Sequence, residues 1–179
     1  MSHPAQIAFV SSVRDKFPEY FVRKSVLEIG SLNINGTIRD FFDDCSYIGV
    51  DLAVGNCVDV VCHGEDLDYS DEWFDVVASC ECFEHNPEWL KTFENMVRMS
   101  SGLVFFSCAT TGRPEHGTTR TNPWDSPFTA HDYYRNLTEQ DFRDAFDFSV
   151  FEDYAFSVDD NAKDLYFWGI KRQQPDTSQ

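Results

Sequence analysis

An α/β fold is expected for this chain, a doubly wound sheet of seven strands, mostly parallel, with a reversed strand at the C-terminus. Three observations predict it. Short apolar runs bounded by turn residues recur along the sequence, as buried parallel strands do. Segments of helical periodicity separate several of those runs. The first two runs enclose a turn with Gly30 and Gly36 and end on an acid, Asp51.

The elements follow in order. Ile7, Val10, Val13 and Phe17 recur at near-helical spacing before Pro18, which predicts an amphipathic N-terminal helix lying as a lid or edge near the main site. Val26, Leu27 and Ile29 make the first strand, and residues 31–35 supply a turn. Gly36 is expected to open a helix, with Ile38, Phe41 and Phe42 on one face. Residues 47–50 return to an extended pattern closed by Asp51, and residues 58–62 and 74–80 read as the third and fourth strands. Asn86 and Pro87 fit the cap and first position of a helix whose apolar face is Trp89, Leu90, Phe93, Met96 and Val97. Residues 103–108 form a fifth strand, and a long aromatic and polar connection runs from Cys108 to Leu137. Loops of that length inside a domain are usually functional. Thr138 and Asp141 resemble a capping box for a helix carrying Phe142, Ala145 and Phe146. The alternation from Phe148 to Val158, a turn at Asp159, Asp160 and Asn161, and residues 164–171 then predict a terminal antiparallel hairpin. One domain over residues 1–172 with a disordered tail over 173–179 is the expected organisation.

Strand, turn, helix and strand ending in an acid describe a Rossmann-like nucleoside pocket. A helix N-terminus faces an anion, and a carboxylate about 20 residues on accepts both ribose hydroxyls. The glycine spacing narrows the ligand. A pyrophosphate needs G-x-G-x-x-G, whereas Leu32, Asn33 and Ile34 stand between Gly30 and Gly36 and would meet it with side chains. The wide turn suits a smaller anion such as an amino-acid carboxylate.

Composition sets further bounds. The 179 residues, 42% hydrophobic and 16% aromatic, are enough for one substantial core. A net charge of −17 disfavours a nucleic-acid partner, whose binding draws on Lys and Arg. The apolar runs are too short to span a bilayer, and the first residues lack the pattern of a signal peptide, so no membrane association and a cytoplasmic setting are expected. Six scattered cysteines, several inside strands, read as reduced thiols.

The sequence resembles the class I S-adenosylmethionine-dependent methyltransferases of the small, single-domain, type 11-like kind. Residues 28–36 (EIGSLNING) are similar to that family's first motif and residues 47–51 to its second. Residues 63–75 (HGEDLDYSDEWFD) resemble the acidic segment that follows, and residues 79–85 (SCECFEH) its S-x-E-x-L-E-H. The resemblance implies S-adenosyl-L-methionine as cofactor. Glu28, Gly30, Ser31, Asn33 and Gly36 would surround its methionine portion, Asp51 would hold the ribose, and Leu52 and Leu67 would enclose the adenine. Ser79 and Cys80 would complete the pocket at the end of the fourth strand. Cys62-His63 stands where the family has Gly-Asp, so Glu65 or Asp66 is expected to take over the adenine side.

On the acceptor side Glu81 and Tyr134 are candidate substrate contacts, and His85, His116, His131 and Arg135 are candidate catalytic groups. Imidazoles can take a proton near neutrality, and a cation can orient an acidic group. The competing structural readings are an acid holding the first turn at Glu28, a brace for the next helix at His85, ordinary packing at Tyr134 and a surface ion pair at Arg135. No metal is expected. Cys80, Cys82 and His85 lack a second half for zinc, and Asn122-Pro123-Trp124 is set aside as an incomplete amino-methylation motif. The expected activity is methyl transfer to oxygen or nitrogen of a small-molecule or sugar-like acceptor. The alternatives are a protein or nucleic-acid methyltransferase, or a catalytically silent scaffold.

Overall fold

The computed structural model describes residues 3–173, and the tail expected from Gln173 falls, from residue 174 on, outside the described residues. Seven strands form one sheet: β1 (Ser25–Ile29), β2 (Ser46–Asp51), β3 (Val60–Val61), β4 (Phe74–Cys80), β5 (Ser100–Ala109), β6 (Phe151–Asp159) and β7 (Asp164–Lys171). Their order is β3-β2-β1-β4-β5-β7-β6, with β7 antiparallel to both of its neighbours and β1 to β5 parallel. The order reverses between β1 and β4, which opens a crevice at the carboxyl ends of those two strands.

Period-two alternation sends successive side chains to opposite faces. Leu27, Ile29, Val77, Val104 and Phe106 face one core, covered by α2 (Trp89–Met99) and α3 (Glu139–Ala145). Val26, Ala78, Cys80 and Phe105 face the other, covered by α1 (Pro4–Lys16). The first core is largely aromatic. Phe142 of α3 stacks on Phe106 at 4.7 Å and meets Phe93 of α2 edge-on at 5.4 Å, contacts worth about 0.5–1.5 kcal/mol each beyond burial. Thr138 and Asp141 form the expected reciprocal capping box at the start of α3.

Three expectations change. α1 buries Gln6, Phe9, Val10 and Val13 and leaves Ile7 half-buried, so its contact stripe is rotated from the one the spacing predicts. α2 begins two residues later than expected, because Asn86 spends its side-chain oxygen on the Glu88 N–H and closes a turn ahead of the helix. The helix expected from Gly36 is a single 3-10 turn, Ile38–Phe41, capped by Thr37. Asp44, in the left-handed region at φ 55°, turns the chain directly into β2.

Candidate active site

A cleft of about 690 Å³, counted to its open mouth, lies over the carboxyl ends of β1, β2 and β4. Its donor-side wall is made by Ile29, Gly30, Leu32, Asp51 and Leu52 with Cys62, His63, Gly64 and Glu65. Asp51 is fixed by backbone donors. The Leu32 N–H reaches one oxygen at 2.9 Å and the Leu52 N–H the other at 2.8 Å. Burial raises its carboxyl above the usual range, and the two N–H groups oppose that rise. Each oxygen keeps a lone pair, so the carboxylate can still accept hydroxyls from the cleft. Gly30 is required on two counts. Its φ is +82°, and a Cβ there would lie 2.7 Å from the Cβ of Cys82.

Several cofactor candidates stand elsewhere. Glu28 alternates to the α1 side, is buried, and accepts a 2.8 Å hydrogen bond from the Tyr47 hydroxyl. Burial pushes its carboxyl up to about 7. It therefore serves as a structural acid rather than bordering the cleft. Ser31 is buried off the cleft, beside Gly49. The Gly36 N–H donates to the Asn33 side-chain oxygen at 2.9 Å, so that N–H is not free for an anion. Together with the one-turn 3-10 helix, this removes the expected helix N-terminal site. Asp66 is exposed beyond the cleft, and Leu67 turns into the α2 core, because the 3-10 turn Gly64–Asp66 redirects the chain. Ser79 donates inward to the Ile29 carbonyl at 2.9 Å. Cys80 faces the α1 core, where burial pushes its thiol up to about 12. Glu65 does line the cleft, with one oxygen held by Thr92 at 3.2 Å and the other 3.3 Å from His63.

The acceptor-side wall begins where β4 ends. Glu81 adopts φ +53°, a conformation that costs a non-glycine residue about 1–3 kcal/mol. Its side chain explains why it stays there. Ser107 donates to it at 2.8 Å, and His3 Nε2 stands 3.5 Å away and Arg113 3.9 Å away. Burial alone would raise the Glu81 carboxyl, but the His3 and Ser107 contacts bring it below its usual value. Asp164 joins the same group, 3.0 Å from His3 and 2.6 Å from Arg113, and lifts His3 up to about 9, with Glu81 assisting. The start of α1 is thus latched to the ends of β4 and β7.

Phe83 plugs the following turn, Phe83–His85, into the aromatic core 5.0 Å from Phe106. This aims His85 along the cleft, where its ring meets His116 at 4.9 Å and Tyr134 at 5.5 Å. Burial, and then His116, push His85 down to about 3, so it is neutral at physiological pH and a weak general base. His116 and Tyr134 back His85 without lining the cleft themselves. His131 and Arg135 do not join them. His131 is exposed on a 3-10 turn, and Arg135 is exposed and paired with Asp141 of the capping box at 2.5 Å.

Residues 125–128 (DSPF) of the long connection close the cleft from above, joined by Ile34 from the first turn. Gly117 permits this closure. At φ +68°, a Cβ there would lie 2.5 Å from Ser126 Cβ and 2.9 Å from His85 Cε1. These residues, with Leu32 and Cys82, went unassigned in the sequence, although the length of the connection and its Ser-Pro-Phe step were the available signal. Asn122 and Pro123 build a capped turn that leaves Trp124 exposed. All six cysteines are free thiols, and Cys80 and Cys82 point to different sides of the sheet. Among the described residues no helix is long and apolar enough to cross a membrane.

Residues 35–106 match the family model described as a methyltransferase domain. No curated protein matches the chain. Solved structures share the fold. The CurJ carbon methyltransferase superposes with a TM-score of 0.63 at 11% identity, over 94% of this chain and 54% of its own. The 1,6-didemethyltoxoflavin-N1-methyltransferase of Burkholderia thailandensis, with its substrate and S-adenosylhomocysteine bound, gives 0.62 at 17% identity, over 94% and 79%. The YcgJ protein of Bacillus subtilis gives 0.63 at 15% identity, over 96% and 100%. The chain thus spans about half the length of the first of these and all of the last. Strand order and the reversed β7 are those of the fold these methyltransferase structures share, and residues 35–106 within it match the methyltransferase domain model.

Proposed function

We propose that this chain, as one domain over residues 1–172, transfers the methyl group of S-adenosylmethionine to an oxygen or nitrogen atom of a small-molecule or sugar-like acceptor. The observation that carries the reading is the Asp51 carboxylate, held by two backbone N–H groups at the floor of the cleft over the carboxyl ends of β1, β2 and β4. Asp51 would hold the ribose hydroxyls, Leu52 and residues 62–65 the adenine, and Gly30 the approach of the methionine portion. When bound, the cofactor supplies a methyl group whose carbon–sulfur bond breaks with its electron pair passing to sulfur, as the acceptor's lone pair forms the new bond.

The chain's own task is alignment and exclusion of water. Residues 125–128 cover the cleft, and His85 walls the acceptor end. A neutral, buried imidazole there accepts a hydrogen bond from an acceptor hydroxyl or amine and orients its lone pair. Selectivity would come from the long connection, and a small acceptor fits a cleft roofed so closely. The acidic surface argues further against nucleic acid.

Calorimetric titration with S-adenosylhomocysteine tests the donor side. Asp51→Ala should weaken binding by about 1–3 kcal/mol with the fold intact. Transfer of labelled methyl from S-adenosylmethionine into a panel of hydroxyl and amine acceptors tests the rest. Binding without transfer to any small acceptor, but with transfer to a protein, would replace the acceptor class. A folded protein that binds neither form of the cofactor would favour the scaffold.

A further inference from the structure

We propose that Glu84, His85 and His116 form a binding site for a first-row divalent transition-metal ion at the acceptor end of the cleft. One ligand atom from each of the three lies within 4.8 Å of the other two. Small side-chain rotations therefore bring all three to bonding distance of one ion, about 2.0–2.2 Å.

The second observation is independent of that proximity. Glu84 is fully buried, and among the described residues neither of its carboxylate oxygens has a hydrogen-bond partner. Buried carboxyl groups are almost always hydrogen-bonded, because an unpaired buried polar group is costly. The Phe83 anchor and the Glu84 carbonyl's bond to the Arg135 N–H at 2.8 Å fix the residue in place. A cation resolves both oxygens at once.

The histidines are oriented for the same role. The Pro114 carbonyl lies 3.1 Å from Nδ1 of His116, which places that ring's proton on Nδ1 and leaves Nε2 as the free donor. His85 has Thr129 Oγ1 3.4 Å from its own Nδ1. Thr129 in turn is held by the Gly117 carbonyl at 3.0 Å. Segments distant in sequence, the turn after β4 and the loop after β5, thus converge with their nitrogen lone pairs available.

Two imidazoles and one carboxylate select zinc, iron(II), cobalt or manganese rather than magnesium or calcium, which take oxygen ligands. Three protein ligands leave at least one coordination position open, and His85 turns it toward the cleft. An acceptor bearing a hydroxyl or carboxylate oxygen would complete the coordination. That last role rests on the methyl-transfer reading, whereas the metal site does not.

The experiment uses the full chain without a histidine tag, stripped with EDTA and titrated with Co²⁺ while visible d–d absorption is recorded, then with Zn²⁺ in competition. The expected result is one equivalent of Co²⁺ with new visible bands, displaced by Zn²⁺. Affinity should fall by at least about tenfold in both Glu84→Gln and His116→Gln. Thermal unfolding shows that each variant is folded, and the isosteric Glu84→Gln decides should His116→Gln fail to fold. Absence of Co²⁺ and Zn²⁺ binding, or wild-type binding in folded Glu84→Gln, would overturn the proposal. S-adenosylhomocysteine binding measured on the same samples separates this result from the methyl-transfer reading.

Discussion

The two walls of the cleft are built on opposite plans. The donor wall is local: Asp51, Leu32 and Leu52 sit at the ends of neighbouring strands, and the backbone holds the Asp51 carboxylate on each oxygen. The acceptor wall is assembled from afar, with His3, Glu81, His85, Arg113, His116 and Tyr134 drawn from four segments and held by side-chain contacts. Backbone anchoring tolerates change in the surrounding sequence, whereas the side-chain assembly fails when one member shifts. Donor and acceptor functions should therefore separate under mutation.

The largest separation is expected from Gly117→Val. A β-branched residue at φ +68°, with its Cβ 2.5 Å from Ser126 and 2.9 Å from His85, should cost about 2–4 kcal/mol in strain and overpacking. Turnover should collapse while S-adenosylhomocysteine affinity stays within a few-fold. Equal loss of both would mean that the walls are mechanically one unit.

A smaller effect is expected at the α1 latch. His3 titrates near 9 in the folded chain against 6.5 when free, so its contribution is full below about pH 6.5 and is lost as the pH rises through about 9. With the partly exposed ring screened by solvent, about 1 kcal/mol is involved. Thermal unfolding of His3→Gln should match the native chain at pH 9.5 and fall below it at pH 6. A difference that is the same at both pH values would remove His3 as the titrating group.

The smallest effect belongs to Arg135→Ala and His131→Ala. Losing the exposed pair to Asp141 should cost less than about 1 kcal/mol, and turnover should be unchanged in both variants. A large loss of activity in either would place the acceptor beyond the cleft, against the outer face of the long connection.

The same contrast decides what could be read from the sequence. Strand runs, the capping box and the terminal hairpin depend on neighbours in sequence, and the sheet, its order and its reversed strand match what their pattern implies. Asp51 was legible because its position at the end of β2 places it at the crevice. The helix from Gly36 was misread because three apolar residues at helical spacing fit a 3-10 turn as well. Glu28, Ser79 and Cys80 share a motif with residues that line the cleft, but alternation or burial sends them elsewhere. Residues 113–135 were indecipherable in detail. Their placement depends on one glycine, one arginine network and two histidine contacts with no periodic signature, so proximity of His85 to His116 and distance of His131 were equally compatible with the sequence.

The most direct test is a crystal structure of the chain with S-adenosylhomocysteine bound. The account predicts both ribose hydroxyls on the Asp51 carboxylate, adenine against Leu52 and residues 62–65, and the sulfur directed toward His85. Ligand density that leaves Asp51 with only its two backbone donors, or that lies outside this cleft, would contradict it.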